Sequence, residues 1–305
     1  MEEKTDYRRT ITSLDWSPLN AELFLASYSK LKEWSMDEPD GMINIYSIAM
    51  QTRPELTLTC QYEITKAMFN PYDSNMIIGA STTGYILVWD VRAKKEPVRG
   101  TEGRDRSQPI QKSCLATHGH NHPVYSLSVL GSQTAQNIVS ISNDGRLCQW
   151  KPKMLSDPRD NFFLEIPNTV KDATLSKLGN PLLSSTLGAS ASASTTAKPM
   201  ASVHCMEFPE NETDKFFVGA EDFNLYQCNL HSESRIHIES ALTGHHAPIT
   251  ALNVHPGASQ NEKRADMTDL LLSSSMDWTV KLWNPKTRST PLHSFEVSQE
   301  YIYDV

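Results

Sequence analysis

Residues 243–285 constrain the fold of this chain more than any other part of the sequence. The segment begins with Gly244-His245, continues through two short apolar runs, and ends at Trp283, with Asp277 six positions before that tryptophan. Apolar and β-branched residues alternate with polar ones in these runs, a pattern typical of strands rather than helices. The order of a Gly-His pair, two strands, an aspartate turn, a third strand and a tryptophan predicts a small antiparallel β unit.

The same internal spacing recurs along the chain, so the unit is a repeat. The third strand of each unit, with its turn, is predicted at residues 40–46, 83–89, 144–150, 222–228 and 277–283. A first and a second apolar run precede each of them, and a sixth first run begins at Ile302. One four-stranded unit cannot bury both of its faces, so neighbouring units must stack on it. Repeats of about 40–45 residues that stack in this way are typical of a WD-repeat β-propeller.

The spacing therefore predicts an all-β WD-repeat propeller that is incomplete at its C-terminus. Five blades are predicted at residues 8–58, 59–115, 116–168, 202–240 and 241–293, and the start of another at 294–305. Because the sequence stops within a predicted first strand, we expect the chain 1–305 to be a fragment, with a further blade after it. Residues 169–201 are rich in serine, alanine and threonine, which cannot offset the entropy of ordering by burial, so they are predicted to form a flexible inserted loop.

Two positions of the repeat are predicted to be structural. The third strand ends in an aromatic residue that fills the space between blades, and the turn before it carries an aspartate that holds backbone amides or a histidine. The aromatic residues are Tyr46, Trp89, Trp150 and Trp283, and the turn aspartates are Asp40, Asp144, Asp222 and Asp277. Where a Gly-His pair precedes the turn, at His120 and His245, we predict a buried hydrogen bond between the histidine and the aspartate.

Trp278 departs from the repeat in a way that suggests function. The position after the turn aspartate favours a small residue because the turn is tight, and Gly41, Gly84 and Gly145 occupy it in other blades. A bulky indole at this place has two interpretations. It packs on an adjacent loop, or it is an aromatic anchor for a partner protein, of the kind enriched in interface hot spots.

Composition excludes several classes of function. The formal net charge is −8 and the basic residues are scattered, which argues against nucleic acid as the main partner. No stretch approaches the length of about 18 apolar residues that a membrane span needs, and the polar N-terminus does not resemble a signal peptide. Five cysteines without a CxxC pair indicate reduced thiols, and together these features predict a cytoplasmic protein.

The sequence contains no pattern of an enzyme or of a metal site. The histidines at 118, 120 and 122 alternate, but the repeat position already explains His120 and His245. No Gly-x-Ser-x-Gly elbow, phosphate-binding loop or HExxH helix occurs. We therefore predict a non-catalytic protein with no cofactor and no metal.

Longer stretches of the sequence resemble the cytoplasmic dynein intermediate chain family. They lie at residues 12–28, 38–41, 122–150, 273–283 and 294–305, and they cover nearly the whole chain in order. The resemblance implies a non-catalytic subunit of a minus-end-directed microtubule motor, whose propeller docks on the dynein heavy chain and helps to connect the motor to cargo. In this family, dynein light chains and dynactin bind a region before the propeller, and that region is absent from this sequence.

Two other assignments remain open on sequence grounds. Axonemal intermediate chains share parts of the resemblance. A generic WD-repeat scaffold, such as the substrate receptor of a ubiquitin ligase or a subunit of a chromatin complex, would share the repeats without the longer stretches. The sequence also departs from the family in the length of the 169–201 insertion and in its missing final blades.

Overall fold

The structure is a computed structural model that describes residues 9–31, 38–50, 53–92, 107–114, 118–166, 200–209, 212–232, 237–256, 269–296 and 298–305. Across these ranges the regular secondary structure consists of twenty strands and no helix, which confirms the predicted all-β class. The strands form five four-stranded antiparallel sheets. The chain divides into two compact units, Met1–Phe162 and Phe163–Val305, which are described in turn.

The first unit contains three sheets, each with its strands in sequence order from one edge to the other. The first sheet consists of β1 (Ile11–Trp16), β2 (Leu23–Tyr28), β3 (Gly41–Ser47) and β4 (Leu56–Cys60). The second consists of β5 (Ile64–Asn70), β6 (Asp73–Ser81), β7 (Ile86–Asp90) and β8 (Gln111–Lys112). The third consists of β9 (Val124–Gly131), β10 (Gln136–Ser142), β11 (Arg146–Trp150) and β12 (Asp160–Phe163).

The second unit contains two sheets with the same strand order. The fourth sheet consists of β13 (Val203–Glu207), β14 (Lys215–Ala220), β15 (Asn224–Asn229) and β16 (Ile238–Thr243). The fifth consists of β17 (Ile249–Val254), β18 (Leu271–Ser275), β19 (Val280–Trp283) and β20 (His293–Phe295). Residues 302–305 form no strand, but they lie against β17, because the Thr250 hydroxyl donates to the Ile302 carbonyl at 2.6 Å.

In the first unit, the hydrophobic cores lie on the two faces of the second sheet, which is buried on both sides. Along β7, Leu87 and Trp89 pack in a cluster with the first sheet, while Ile86 and Val88 pack in a cluster with the third. Successive side chains of a strand point to opposite faces, so a strand buried on both sides needs an unbroken apolar run. A third cluster joins the fourth and fifth sheets in the same way.

One predicted segment lies largely outside the described residues. The insertion at 169–201 is described only at its end, where Met200 forms an isolated β-bridge with Glu165 and the Ala201 amide donates to the Leu164 carbonyl at 2.9 Å.

No helix in the described ranges is long and apolar enough to span a membrane.

Candidate interaction surface

The tryptophans that end the third strands are fully buried. Trp89, Trp150 and Trp283 each have no exposed side-chain surface. A buried indole N–H needs an acceptor, and each of the three has one. Trp150 donates to the Ser140 hydroxyl at 2.8 Å, Trp283 to the Ser273 hydroxyl at 2.7 Å, and Trp89 to the Ser107 carbonyl at 3.2 Å. These side chains therefore fix the packing between sheets and do not face solvent.

In the fifth sheet, a chain of hydrogen bonds connects the turn aspartate with the buried tryptophan. Asp277 lies 2.9 Å from Nδ1 of His245, and Nε2 of the same ring lies 2.6 Å from the Ser273 hydroxyl that receives the Trp283 proton. Because a carboxylate only accepts, Nδ1 carries the histidine proton and Nε2 accepts from Ser273. The predicted hydrogen bond between His245 and Asp277 is thus present.

Electrostatics keep this network in one protonation state. Burial lowers the pKa of His245, and the neighbouring Asp277 only partly opposes that shift, so the imidazole is neutral at neutral pH. Burial by itself would raise the pKa of Asp277, but hydrogen bonds from Thr279 and His245 outweigh it and lower the pKa to about 2. With its polar atoms engaged, the network has a structural rather than a chemical role.

The third sheet departs from the prediction. His120 does not bond to Asp144 directly: its Nδ1 lies 2.9 Å from the Ser142 hydroxyl, which in turn donates to Asp144. The direct contact is replaced because Ser142, at the end of β10, places its hydroxyl between the two side chains. The other ring nitrogen lies 2.6 Å from Ser140, the acceptor for Trp150, so the histidine still connects the turn to the tryptophan. Burial lowers the pKa of His120 to about 4, despite the nearby carboxylate.

The first sheet also lacks part of the repeat. Asp40 is exposed, and among the described residues only its backbone carbonyl takes part in a hydrogen bond, accepting from Arg9 at 3.0 Å. Gly41 begins β3, and an added Cβ there would lie 2.0 Å from the Tyr62 carbonyl oxygen. This glycine is required by close backbone approach, whereas we had expected a tight turn. The turn role of Asp40 remains a prediction.

The turn residue that follows Thr83, Asp144, Asp222 or Asp277 has a left-handed backbone, which is why glycine is favoured there and why Trp278 is an exception. Its φ is 75° at Gly145 and 90° at Gly84, but the equivalent residues of the second unit are Phe223, with φ 70°, and Trp278, with φ 68°. An L-residue in this conformation costs about 1–2 kcal/mol relative to the right-handed region. Among the described residues, these two are the non-glycine residues with positive φ.

Both aromatic side chains are substantially exposed, Phe223 by 43% and Trp278 by 50%. Trp278 was predicted from the sequence to be unusual at this position, but Phe223 was not. The signal was present, because the segments 222–228 and 277–283 align residue by residue and place both aromatics directly after the turn aspartate.

The two turns lie at the same end of two packed sheets. The Glu221 amide donates to the Ser202 carbonyl at 2.9 Å, and the Met276 amide donates to the Pro248 carbonyl at 3.1 Å. Each turn therefore lies beside the start of the first strand of its own sheet. An added Cβ at Gly219, near the end of β14, would lie 2.6 Å from Ile249, the first residue of β17. Phe223 and Trp278, with the exposed Glu221 and Asp222, are called the aromatic rim below.

No metal centre accompanies this surface. Within the described ranges, no group of three or more histidine, cysteine, aspartate or glutamate residues is arranged to hold a metal ion. The carboxylates of the rim are instead engaged locally. Glu221 accepts from the Ser202 hydroxyl at 2.7 Å, and Asp222 accepts from the Asn224 amide at 3.3 Å and from the Tyr226 hydroxyl.

Comparison with known proteins agrees with the repeat and with the resemblance. Residues 112–151 and 237–284 match the family model described as WD domain, G-beta repeat, and these ranges contain both histidine-centred networks. Over all 305 residues, the chain is 32% identical to the cytoplasmic dynein 1 intermediate chain of Drosophila melanogaster. It spans 39% of the length of that relative. The predicted WD-repeat fold and the predicted resemblance to dynein intermediate chains are confirmed.

Proposed function

We propose that this chain, which is similar over its whole length to a cytoplasmic dynein 1 intermediate chain, is a non-catalytic subunit of a dynein motor complex. In this role its WD repeats dock on the dynein heavy chain and support the minus-end-directed transport of cargo along microtubules in the cytoplasm. The observation that carries the proposal is the 32% identity over all 305 residues. A generic WD-repeat scaffold would share the turns and tryptophans, but not a match over the whole chain.

The chemistry of the described side chains supports a binding role over a catalytic one. Both ring nitrogens of His120 and His245 are engaged in buried hydrogen bonds. Burial raises the pKa of Cys60 to about 11 and that of Cys148 to about 12, so these thiols are neutral and poorly nucleophilic at neutral pH. These two histidines and two thiols are thus committed to the fold.

The proposed partners divide between the WD repeats of this chain and a region that the family resemblance places before such repeats. The heavy chain is assigned to the WD repeats, with Trp278 as a contact, because its half-exposed indole has no role in the core. The dynein light chains and dynactin are assigned to a region before the repeats, as the family resemblance implies. Neither nucleic acid nor a membrane is a proposed partner.

Affinity purification of the full-length protein from cells tests this function. The tagged protein is expected to retain the dynein heavy chain at about equal molar amounts through size-exclusion chromatography. A control variant carries Trp283→Ala, which disrupts the packing between sheets. This variant should unfold and should therefore no longer retain the heavy chain. Purification of the intact wild-type protein without any heavy chain would overturn the proposal.

A further inference from the structure

We propose that the aromatic rim is a docking surface for a basic segment of a partner protein, in which arginine or lysine side chains lie on Phe223 and Trp278 and pair with the neighbouring carboxylates. The inference rests on the proposed function in one respect, since the segment is taken to belong to a subunit of the dynein complex.

The first argument is the retention of a strained conformation at two equivalent positions. The first unit has glycine at this place in two sheets, at φ angles within about 22° of those in the second unit. The second unit instead has phenylalanine and tryptophan there, and neither side chain is buried in a core. Backbone strain that is not needed for folding is typical of ligand-binding and switch positions.

The second argument is geometric. The turns that carry Phe223 and Trp278 lie at the same end of the fourth and fifth sheets, whose packed cluster includes Leu225 and Ile249. The two turns place Phe223 and Trp278 at the same end of two packed sheets, and we expect one extended segment to contact both. Preorganised aromatic residues with few rotatable bonds are effective anchors because little side-chain entropy is lost on binding.

The third argument is charge, and it selects the partner. Glu221 and Asp222 are exposed next to Phe223, whereas Asp277, which precedes Trp278, is held in the buried network with His245 and adds only its negative charge. The strand that follows this turn, β19, carries one cationic side chain, Lys281. It is buried and donates to the Ser294 hydroxyl at 2.8 Å, so it does not offset the negative charge at the surface. Aromatic faces attract guanidinium and ammonium groups, and carboxylates pair with them. A surface of this kind on a chain of net charge −8 favours a basic protein segment and repels nucleic acid and anionic lipid.

Substitution by glycine and by alanine separates binding from folding. Phe223→Gly with Trp278→Gly removes both rings and relieves the backbone, whereas the matched pair with alanine removes the rings and retains the strain. The glycine variant is therefore expected to melt at a higher temperature than the alanine variant, and both should bind equally weakly. Glu221→Gln reduces the charge while preserving an acceptor for Ser202. Trp16→Ala removes an exposed tryptophan of the first unit and serves as the control.

The direct assay is fluorescence anisotropy of the 305-residue chain with a labelled peptide of alternating arginine and glycine. Loss of both hot-spot aromatics is expected to weaken binding by about thirtyfold or more. Glu221→Gln in the wild-type background and added salt should each weaken binding, and Trp16→Ala should not change it. Matched peptides with glutamate or with leucine in place of arginine should bind poorly.

The outcomes separate this inference from the proposed function. Equal binding of the arginine peptide to the wild type and to both double variants, no binding to the wild type, or equal binding of all three peptides would overturn the docking surface. If the heavy chain co-purifies while the peptide assay fails in one of these ways, only the present inference is wrong. If the peptide behaves as expected but no heavy chain co-purifies, only the proposed function is wrong.

Discussion

Removal of the Ser273 hydroxyl should destabilise the protein more than the loss of one small polar group usually does. The side chain is fully buried, accepts the Trp283 indole proton at 2.7 Å and lies 2.6 Å from Nε2 of His245. Ser273→Ala leaves one donor and one acceptor unpaired in the core. Each buried polar group that loses its partner costs about 1–3 kcal/mol, so we expect the free energy of unfolding to fall by about 2–6 kcal/mol.

The neighbouring Ser274 provides a matched control. It is equally buried, but its partner Thr250 also donates to the Ile302 carbonyl, so Ser274→Ala leaves that hydroxyl with a hydrogen bond. We expect a cost of about 1 kcal/mol, the value of one ordinary hydrogen bond. Urea unfolding, monitored by tryptophan fluorescence, measures the free energy of unfolding of both variants. Equal loss of stability in the two variants would refute the argument that the network, rather than the burial of a serine, holds the sheets together.

The remaining predictions concern the core, the turns and pH. Trp283→Ala should cost about 3–5 kcal/mol in urea unfolding because a fully buried indole is lost, and an unchanged midpoint would contradict its structural role. Gly145→Ala should cost about 1–2 kcal/mol through its left-handed φ, while Trp278→Gly should exceed Trp278→Ala in stability by a similar amount, measured by the same method. The pKa of folded His120 lies near 4, below its unfolded value of 6.5, so the unfolded chain binds the proton more readily. Stability should therefore be constant above about pH 6.5 and fall between about pH 6.5 and 4, and His120→Gln should flatten that fall.

The sequence by itself determined the repeat and its buried anchors. Strand periodicity, the spacing from turn aspartate to tryptophan and the apolar runs are local properties of the chain, so they predicted the all-β class and the positions of Trp89, Trp150 and Trp283. The same spacing predicted the contact between Asp277 and His245. These features follow from the sequence because each repeat must bury the same faces in the same order.

Tertiary structure decided what depends on distant neighbours. Whether His120 reaches Asp144 directly depends on the position of one serine hydroxyl between them, and spacing does not encode that rotamer. Gly41 is needed because the carbonyl of Tyr62 approaches it. The sequence already places Phe223 and Trp278 at equivalent turn positions, but only the folded backbone shows the left-handed φ at both. A sequence pattern shows which residues recur. Backbone strain and the position of two turns at the same end of packed sheets are properties of the folded backbone.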